Sequence, residues 1–162
     1  MAISESLSLS KLFCPIRKTW IAATPEEEVR QRLLHDLISL LGYPHGLVAV
    51  EKELKQMPHL RLNPVEPPLR RADILCFGKE IHPDYALYPL LLIECKAVKL
   101  TRKVINQVTG YNHYLKAYFI AVANQEEVQT GWYDKEKGDY TFIPRLPGYQ
   151  ELLKTVIPTH KA

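Results

Sequence analysis

The stretch that decides the fold is LLLIECKA at residues 90–97. It opens with four aliphatic residues, a run typical of a strand that is buried on both faces. Glu94 and Lys96 follow, with Cys95 between them. Because side chains alternate along a strand, Glu94 and Lys96 are expected on one face and Cys95 on the other. The sequence therefore predicts a buried strand that ends in two adjacent charged groups.

A second strand with a charged interruption precedes this one. Residues 71–77 read RADILCF, and Asp73 breaks the otherwise apolar run. A charge among buried residues is unfavourable unless it has a partner or a metal. If the two strands are neighbours, the carboxylates of Asp73 and Glu94 converge, and two carboxylates with bound water suit Mg²⁺. Lys96 could then orient or deprotonate an attacking water, or offset charge in the transition state.

Each of these features also has an ordinary structural explanation. An aspartate in a strand is often a hydrogen-bonded structural group. A glutamate two residues from a lysine is usually a solvated pair of little energetic effect. A motif of three residues is weak evidence by itself. Together, however, the two features favour a metal-dependent hydrolase.

A long amphipathic helix is predicted upstream of both strands. Thr24 suits the N-cap, Pro25 the first helical position, and Glu27 the third position of a capping box. Apolar residues at helical spacing continue to Leu41, and Gly42 is expected to end the helix.

The remaining elements follow from the same kinds of pattern. Residues 1–18 are expected to be irregular, 56–69 a proline-rich loop and 78–89 a turn. Further predictions are strands at 47–54 and 118–123, a helix at about 101–116, and a hairpin joining 132–133 to 140–143. This order predicts one α/β domain over residues 1–162, with a mixed sheet flanked by helices. Its core would span about 17–124, with a C-terminal hairpin and tail at 125–162.

Composition sets only broad limits on function. The chain has 162 residues, 46% of them hydrophobic and 24% charged, which is typical of a globular domain rather than a disordered one. The net charge of +3 is compatible with a polyanionic partner without requiring one. The three cysteines show no metal-binding spacing, and neither a signal peptide nor a membrane-spanning run is apparent. We therefore expect reduced thiols and a cytoplasmic location.

Five stretches, taken in order, resemble a known family. They are RKTWIAATPEEEVRQRLL, AVEKEL, RRADIL, LLIECKA and INQVTGYNHYLKAYFIAVAN, within about residues 17–124. The set resembles the PD-(D/E)XK nuclease superfamily, and more closely the N-terminal nuclease domain of type I restriction enzyme R (HsdR) subunits. The resemblance implies a restriction-endonuclease-like fold. It also implies hydrolysis of DNA phosphodiester bonds with Mg²⁺, for which Mn²⁺ is a possible substitute.

The resemblance also implies roles for individual residues. It assigns Asp73, Glu94 and Lys96 to catalysis, and its Gln-x-x-x-Tyr motif falls on Gln107 and Tyr111. That spacing places both side chains on one helical face. Gln107 would hold the scissile phosphate or a metal-bound water, and Tyr111 would brace the substrate backbone. Tyr111 also shares an apolar stripe, so a place in the core is the alternative.

A glutamate on the first helix is the third metal ligand that the resemblance implies, beside Asp73 and Glu94. The family's Glu-x-Val-Arg-Gln pattern falls on residues 27–31 and selects Glu27. The helical wheel places Glu26 and Glu27 within the apolar stripe and Glu28 towards water. The competing explanation is that Glu27 only caps its own helix.

Basic residues around the expected site are candidates for contacts with DNA phosphates, which would make binding strongly salt-dependent. Surface solvation explains any one of them equally well. The candidates are Arg17, Lys18, Arg70, Arg71, Lys99, Arg102 and Lys103.

The chain departs from the family pattern in three respects. Ala72 replaces the usual proline before Asp73, Gln125 stands where a glycine is expected, and there is no GxxxxGK[ST] motif for an ATP-driven motor. Expected partners are DNA and either a second copy of the chain or other restriction or repair subunits. Two alternatives stay open: a catalytically silent module that binds nucleic acid or a protein partner, and a nuclease that acts on RNA.

Overall fold

The structure, a computed structural model, describes residues 10–60 and 71–157. Its strands are β1 (Lys11–Cys14), β2 (Thr19–Ala22), β3 (Val48–Glu53), β4 (Arg71–Lys79), β5 (Leu87–Cys95), β6 (Phe119–Ala123), β7 (Val128–Asp134) and β8 (Asp139–Ile143). Its α-helices are α1 (Pro25–His35), α2 (Arg102–Leu115) and α3 (Tyr149–Val156). Strand β5 contains the aliphatic run that the sequence identifies as a buried strand.

A six-stranded mixed sheet forms the centre of the fold, in the order β3-β4-β5-β6-β7-β8. Strands β5 and β6 are parallel, and every other neighbouring pair in this sheet is antiparallel. A parallel pair needs a crossover connection, which α2 supplies here. The arrangement confirms the predicted mixed α/β class.

Helices cover both faces of the sheet. Leu34 of α1 and Leu152 of α3 belong to the core on one face, together with Ile93 of β5. Val108 of α2 packs on the other face with Leu92 of β5. Strand β5 is therefore buried on both sides, which is the environment that its uninterrupted aliphatic run predicts.

Helix α1 begins where the sequence indicates. The Thr24 hydroxyl accepts a hydrogen bond from the Glu27 backbone N–H at 3.2 Å, and Pro25 is the first helical residue. The chain continues past α1 as a π-helical turn at Asp36–Leu40, and Gly42 follows with a φ of 75°. Glycine suits this position because a left-handed conformation is unfavourable for residues with a Cβ.

Thr24→Ala is expected to destabilise the protein by about 0.5–2 kcal/mol, because it removes the acceptor for a helix N-terminal N–H group. Thr24→Ser keeps a hydroxyl and should lose much less. Urea unfolding followed by circular dichroism would measure both. Equal stability of the alanine variant and the wild type would show that the cap makes no net contribution.

Three predictions about local structure were wrong. Residues 1–18 are not irregular throughout, because β1 pairs with β2 in a separate hairpin that sets Phe13 opposite Trp20. The connection predicted at 78–89 is shorter, since β4 extends to Lys79 and β5 starts at Leu87. The C-terminal part contains α3, which the sequence analysis did not foresee. Arg70 and most of the predicted proline-rich loop lie outside the described residues.

The sequence also led to expectations about the cysteines and about membrane-spanning segments. Cys14, Cys76 and Cys95 are free and buried. In the segments that the structure describes, no helix combines the length and the apolar character needed to cross a bilayer.

Candidate active site

Strands β4 and β5 bring Asp73 and Glu94 to the same end of the sheet. Their ladder pairs Leu75 with Leu92 and Ile74 with Ile93. Continuing this register sets Asp73 opposite Glu94, and opposite residues of an antiparallel pair are close neighbours. The Asp73 carboxylate accepts a hydrogen bond from the Cys95 backbone N–H at 2.8 Å, which ties it to the end of β5. The two strands are therefore neighbours, so their acidic residues can contribute to one site.

A third carboxylate, that of Glu27, acts on the same region around Cys95. Burial raises the pKa of the Cys95 thiol, and the nearby carboxylates of Asp73, Glu94 and Glu27 raise it further. Glu94 and Glu27 are themselves buried, with exposed fractions of 2% and 5%. All three acidic residues selected from the sequence therefore act electrostatically on this thiol, and Asp73 also contacts the Cys95 backbone.

Arg30 of α1 links two of these carboxylates directly. Its Nη1 donates to Glu27 Oε2 at 2.7 Å, and its Nη2 donates to Asp73 Oδ1 at 2.9 Å. Burial alone would lower the pKa of Arg30, but Asp73 and Glu27 raise it above its ordinary value. The guanidinium is therefore a fixed positive charge between the two carboxylates.

The Glu27 carboxylate has further partners. It pairs with Arg17 in the turn between β1 and β2, and it accepts a hydrogen bond from Gln31 at 2.9 Å. It does not act only as a helix cap, so that explanation was wrong. Its neighbours Glu26 and Glu28 are both exposed, which confirms the prediction for Glu28 but not for Glu26.

Glu51 is a site residue that the sequence analysis missed. Its carboxylate lies 3.4 Å from both Arg17 and Arg30. Its φ of 54° is uncommon for a residue with a side chain, and strained backbone of this kind tends to occur at functional sites. We call Arg17, Glu27, Arg30, Glu51 and Asp73 the ion-pair cluster. The pattern AVEKEL does not predict this positive φ, because it contains no glycine or asparagine.

Lys96 follows β5 at the same end of the sheet. It is half-buried, and its backbone N–H donates to the Ala123 carbonyl at the end of β6 at 2.8 Å. On α2, Gln107 is exposed, whereas Tyr111 is 4% exposed and belongs to the core beneath that helix. The core position expected for Tyr111 as an alternative is therefore observed, while the exposed amide of Gln107 is accessible to a substrate.

The basic candidates occupy different environments. Arg17 is engaged in the ion-pair cluster, and Arg71 pairs with Glu53 at 3.3 Å. The other described candidates are exposed: Lys18, Lys99, Arg102 and Lys103. The last three lie just after Lys96, in the connection to α2 and its first turn. After Lys96, they are the basic residues that follow most closely in sequence on the end of β5.

The carboxylates suit a divalent metal by their chemistry but not by their present arrangement. Mg²⁺ prefers hard oxygen ligands, and the site supplies them on three different elements. Within residues 10–60 and 71–157, however, no group of three His, Cys, Asp or Glu side chains forms a metal-binding cluster. Arg30 contacts one oxygen of Glu27 and one of Asp73, so a guanidinium lies between these two carboxylates.

Comparison with known proteins gives one match. A family model described as the type I restriction enzyme R protein N terminus (HSDR_N) matches residues 25–147. The matched range runs from the start of α1 past the end of β8 and contains Glu27, Asp73, Glu94 and Lys96. No curated protein and no solved structure matches the chain.

Proposed function

Since the chain belongs to the family of type I restriction enzyme R protein N-terminal domains, we propose that it is a metal-dependent nuclease that hydrolyses phosphodiester bonds in DNA. The observation that supports this most is that Asp73 and Glu94 lie on adjacent strands at one end of the sheet, where Arg30 links Asp73 to Glu27 of α1. Three acidic groups from three elements at one edge of a sheet form an environment of high negative charge, which favours cations such as the Arg17 and Arg30 guanidinium groups or a metal ion.

Asp73 and Glu94 are the proposed Mg²⁺ ligands, with Glu27 as a third. When bound, the ion would supply positive charge at the phosphate and a more acidic water. Lys96 would hold or accept a proton at the attacking water, or donate to a phosphate oxygen. The exposed amide of Gln107 would hold the scissile phosphate, and Tyr111 would support the helix surface on which the DNA backbone lies.

A nicking assay on supercoiled plasmid DNA tests the proposal. We expect nicked and then linear DNA with Mg²⁺ or Mn²⁺, and no cleavage in EDTA. Glu94→Gln should remove the activity, because it replaces a charged ligand by a neutral amide of the same shape. DNA that is bound but never cut, with either metal, would favour a silent binding module. Cleavage of RNA but not of DNA would favour the RNA-directed alternative.

The exposed lysines beside the site should govern the salt dependence of DNA binding. Lys99→Gln combined with Lys103→Gln is expected to weaken binding and to reduce the slope of log K against log salt by about 2, since each phosphate contact contributes about 0.9. Lys135→Gln with Lys137→Gln is the matched control. These exposed lysines lie between β7 and β8, at the opposite end of the sheet from Lys96. Fluorescence anisotropy over a range of salt concentrations would measure DNA binding by both double variants. Equal slopes for the two would contradict the assignment of Lys99 and Lys103 to DNA binding.

We also propose that the domain acts together with other subunits of a restriction or repair system, or as a homodimer. The family description supports this, since it refers to the N terminus of an R protein. Sedimentation velocity of the purified chain would detect a homodimer directly.

A further inference from the structure

The proposed active site contains an internal cation where a metal would be expected. We infer that Arg30 competes with the divalent metal for Glu27 and Asp73, so that metal binding must release the guanidinium. The inference rests on the proposed function, because it concerns the same carboxylates. It adds that the guanidinium of Arg30 occupies the site and blocks it when no metal is bound.

The geometry of Arg30 supports competition for the same oxygens. One guanidinium spans both carboxylates, with contacts of 2.7 Å to Glu27 and 2.9 Å to Asp73. Its side chain is 8% exposed, so these contacts are little weakened by solvent. An ion bound by Glu27 Oε2 and Asp73 Oδ1 would stand where the guanidinium now stands. Because both are positively charged, the two would also repel each other at that distance.

The acidic groups at the site outnumber the basic groups. The ion-pair cluster has three carboxylates and two guanidinium groups, and Glu94 adds another carboxylate beside Cys95. The acidic groups therefore exceed the two guanidinium groups by two formal charges, and Lys96 at the end of β5 offsets one of them. A divalent cation can be added without a large excess of positive charge, provided that Arg30 stays near an acidic group after it has left Glu27 and Asp73.

Glu51 is an alternative ionic partner for Arg30. Its carboxylate already lies 3.4 Å from Arg30 Nη1, and its side chain is 41% exposed, against 22% for Asp73 and 7% for Glu27. A guanidinium that shifts towards Glu51 moves towards solvent and keeps an ionic partner. Glu51 would thus hold Arg30 in the metal-bound state, which gives a reason for its left-handed backbone at the site.

The test compares Mn²⁺ binding and thermal stability for the wild type and Arg30→Gln. Without its guanidinium the variant should melt at a lower temperature in EDTA. It should nevertheless bind Mn²⁺ at least about tenfold more tightly by calorimetry, and show a larger rise in Tm on addition of Mn²⁺. Arg32→Gln is the control on the same helix, because Arg32 donates to the backbone carbonyls of Asn124 and Gln125 and not to a carboxylate. Its metal affinity should equal that of the wild type.

The possible outcomes separate the inference from the function on which it rests. Equal or weaker Mn²⁺ binding by Arg30→Gln, with clear binding by the wild type, overturns the competition and assigns Arg30 to orienting the ligands. Absence of Mn²⁺ binding by both proteins overturns the metal-dependent function itself. If Arg30→Gln does not fold, the competition is tested by the guanidinium NMR signal of Arg30 in the ¹⁵N-labelled wild type. Mg²⁺ should shift that signal and speed its hydrogen exchange, and an unchanged signal overturns the inference.

Discussion

Asp73→Asn is expected to abolish DNA cleavage without unfolding the protein. The amide has the shape of the carboxylate and keeps an oxygen that can accept the hydrogen bond from the Cys95 N–H. It lacks the charge needed to hold a divalent ion, whose electrostatic stabilisation of the transition state amounts to several kcal/mol. We therefore expect the nicking rate to fall by a factor on the order of 10³ or more.

A matched control separates this effect from a general loss of charge. Glu53→Gln removes a carboxylate from the neighbouring strand β3, where its partners are the exposed Lys55 and Arg71. Its nicking rate should equal that of the wild type, because an exposed pair contributes little. Circular dichroism and Tm for both variants would confirm that they are folded. Substantial cleavage by folded Asp73→Asn would remove Asp73 from the proposed mechanism.

Leu34→Ala is expected to be the most destabilising of the changes considered, by about 2–5 kcal/mol. Leu34 is fully buried between α1 and the sheet, so truncation loses apolar burial and leaves a cavity. Leu40→Ala makes the same chemical change in the helical turn that follows α1, where the side chain is 71% exposed. We expect that control to change stability by less than about 0.5 kcal/mol. Urea unfolding of both variants gives the difference, and similar losses would contradict the assignment of Leu34 to the core.

The parts of the fold that could be predicted from sequence are those decided by local pattern. The aliphatic run that begins at Leu90 indicated a strand buried on both faces, and Thr24 with Pro25 marked the start of α1. The β1–β2 hairpin was missed because its turn contains no glycine or asparagine. Lys18 adopts the positive φ of 54° instead, so the usual hairpin signal is absent. Helix α3 has eight residues and no side-chain N-cap, so its formation depends on packing against the core.

The candidate site was predictable only in its acidic residues. Asp73 and Glu94 stand out because each interrupts or ends an apolar strand. Arg30 does not stand out, because an arginine in a helix is most often a surface residue. Its burial against Glu27 and Asp73 depends on how α1 lies on the sheet, and that is a tertiary property. The same holds for Glu51, whose contacts with Arg17 and Arg30 join parts of the chain that are distant in sequence.

The environment of Cys95 affects the chemical reactivity of its thiol. The thiolate is the reactive form of cysteine, and both burial and the surrounding carboxylates raise the pKa of this thiol. At neutral pH the sulfur therefore stays protonated, and we expect it to react slowly with alkylating reagents and with peroxide.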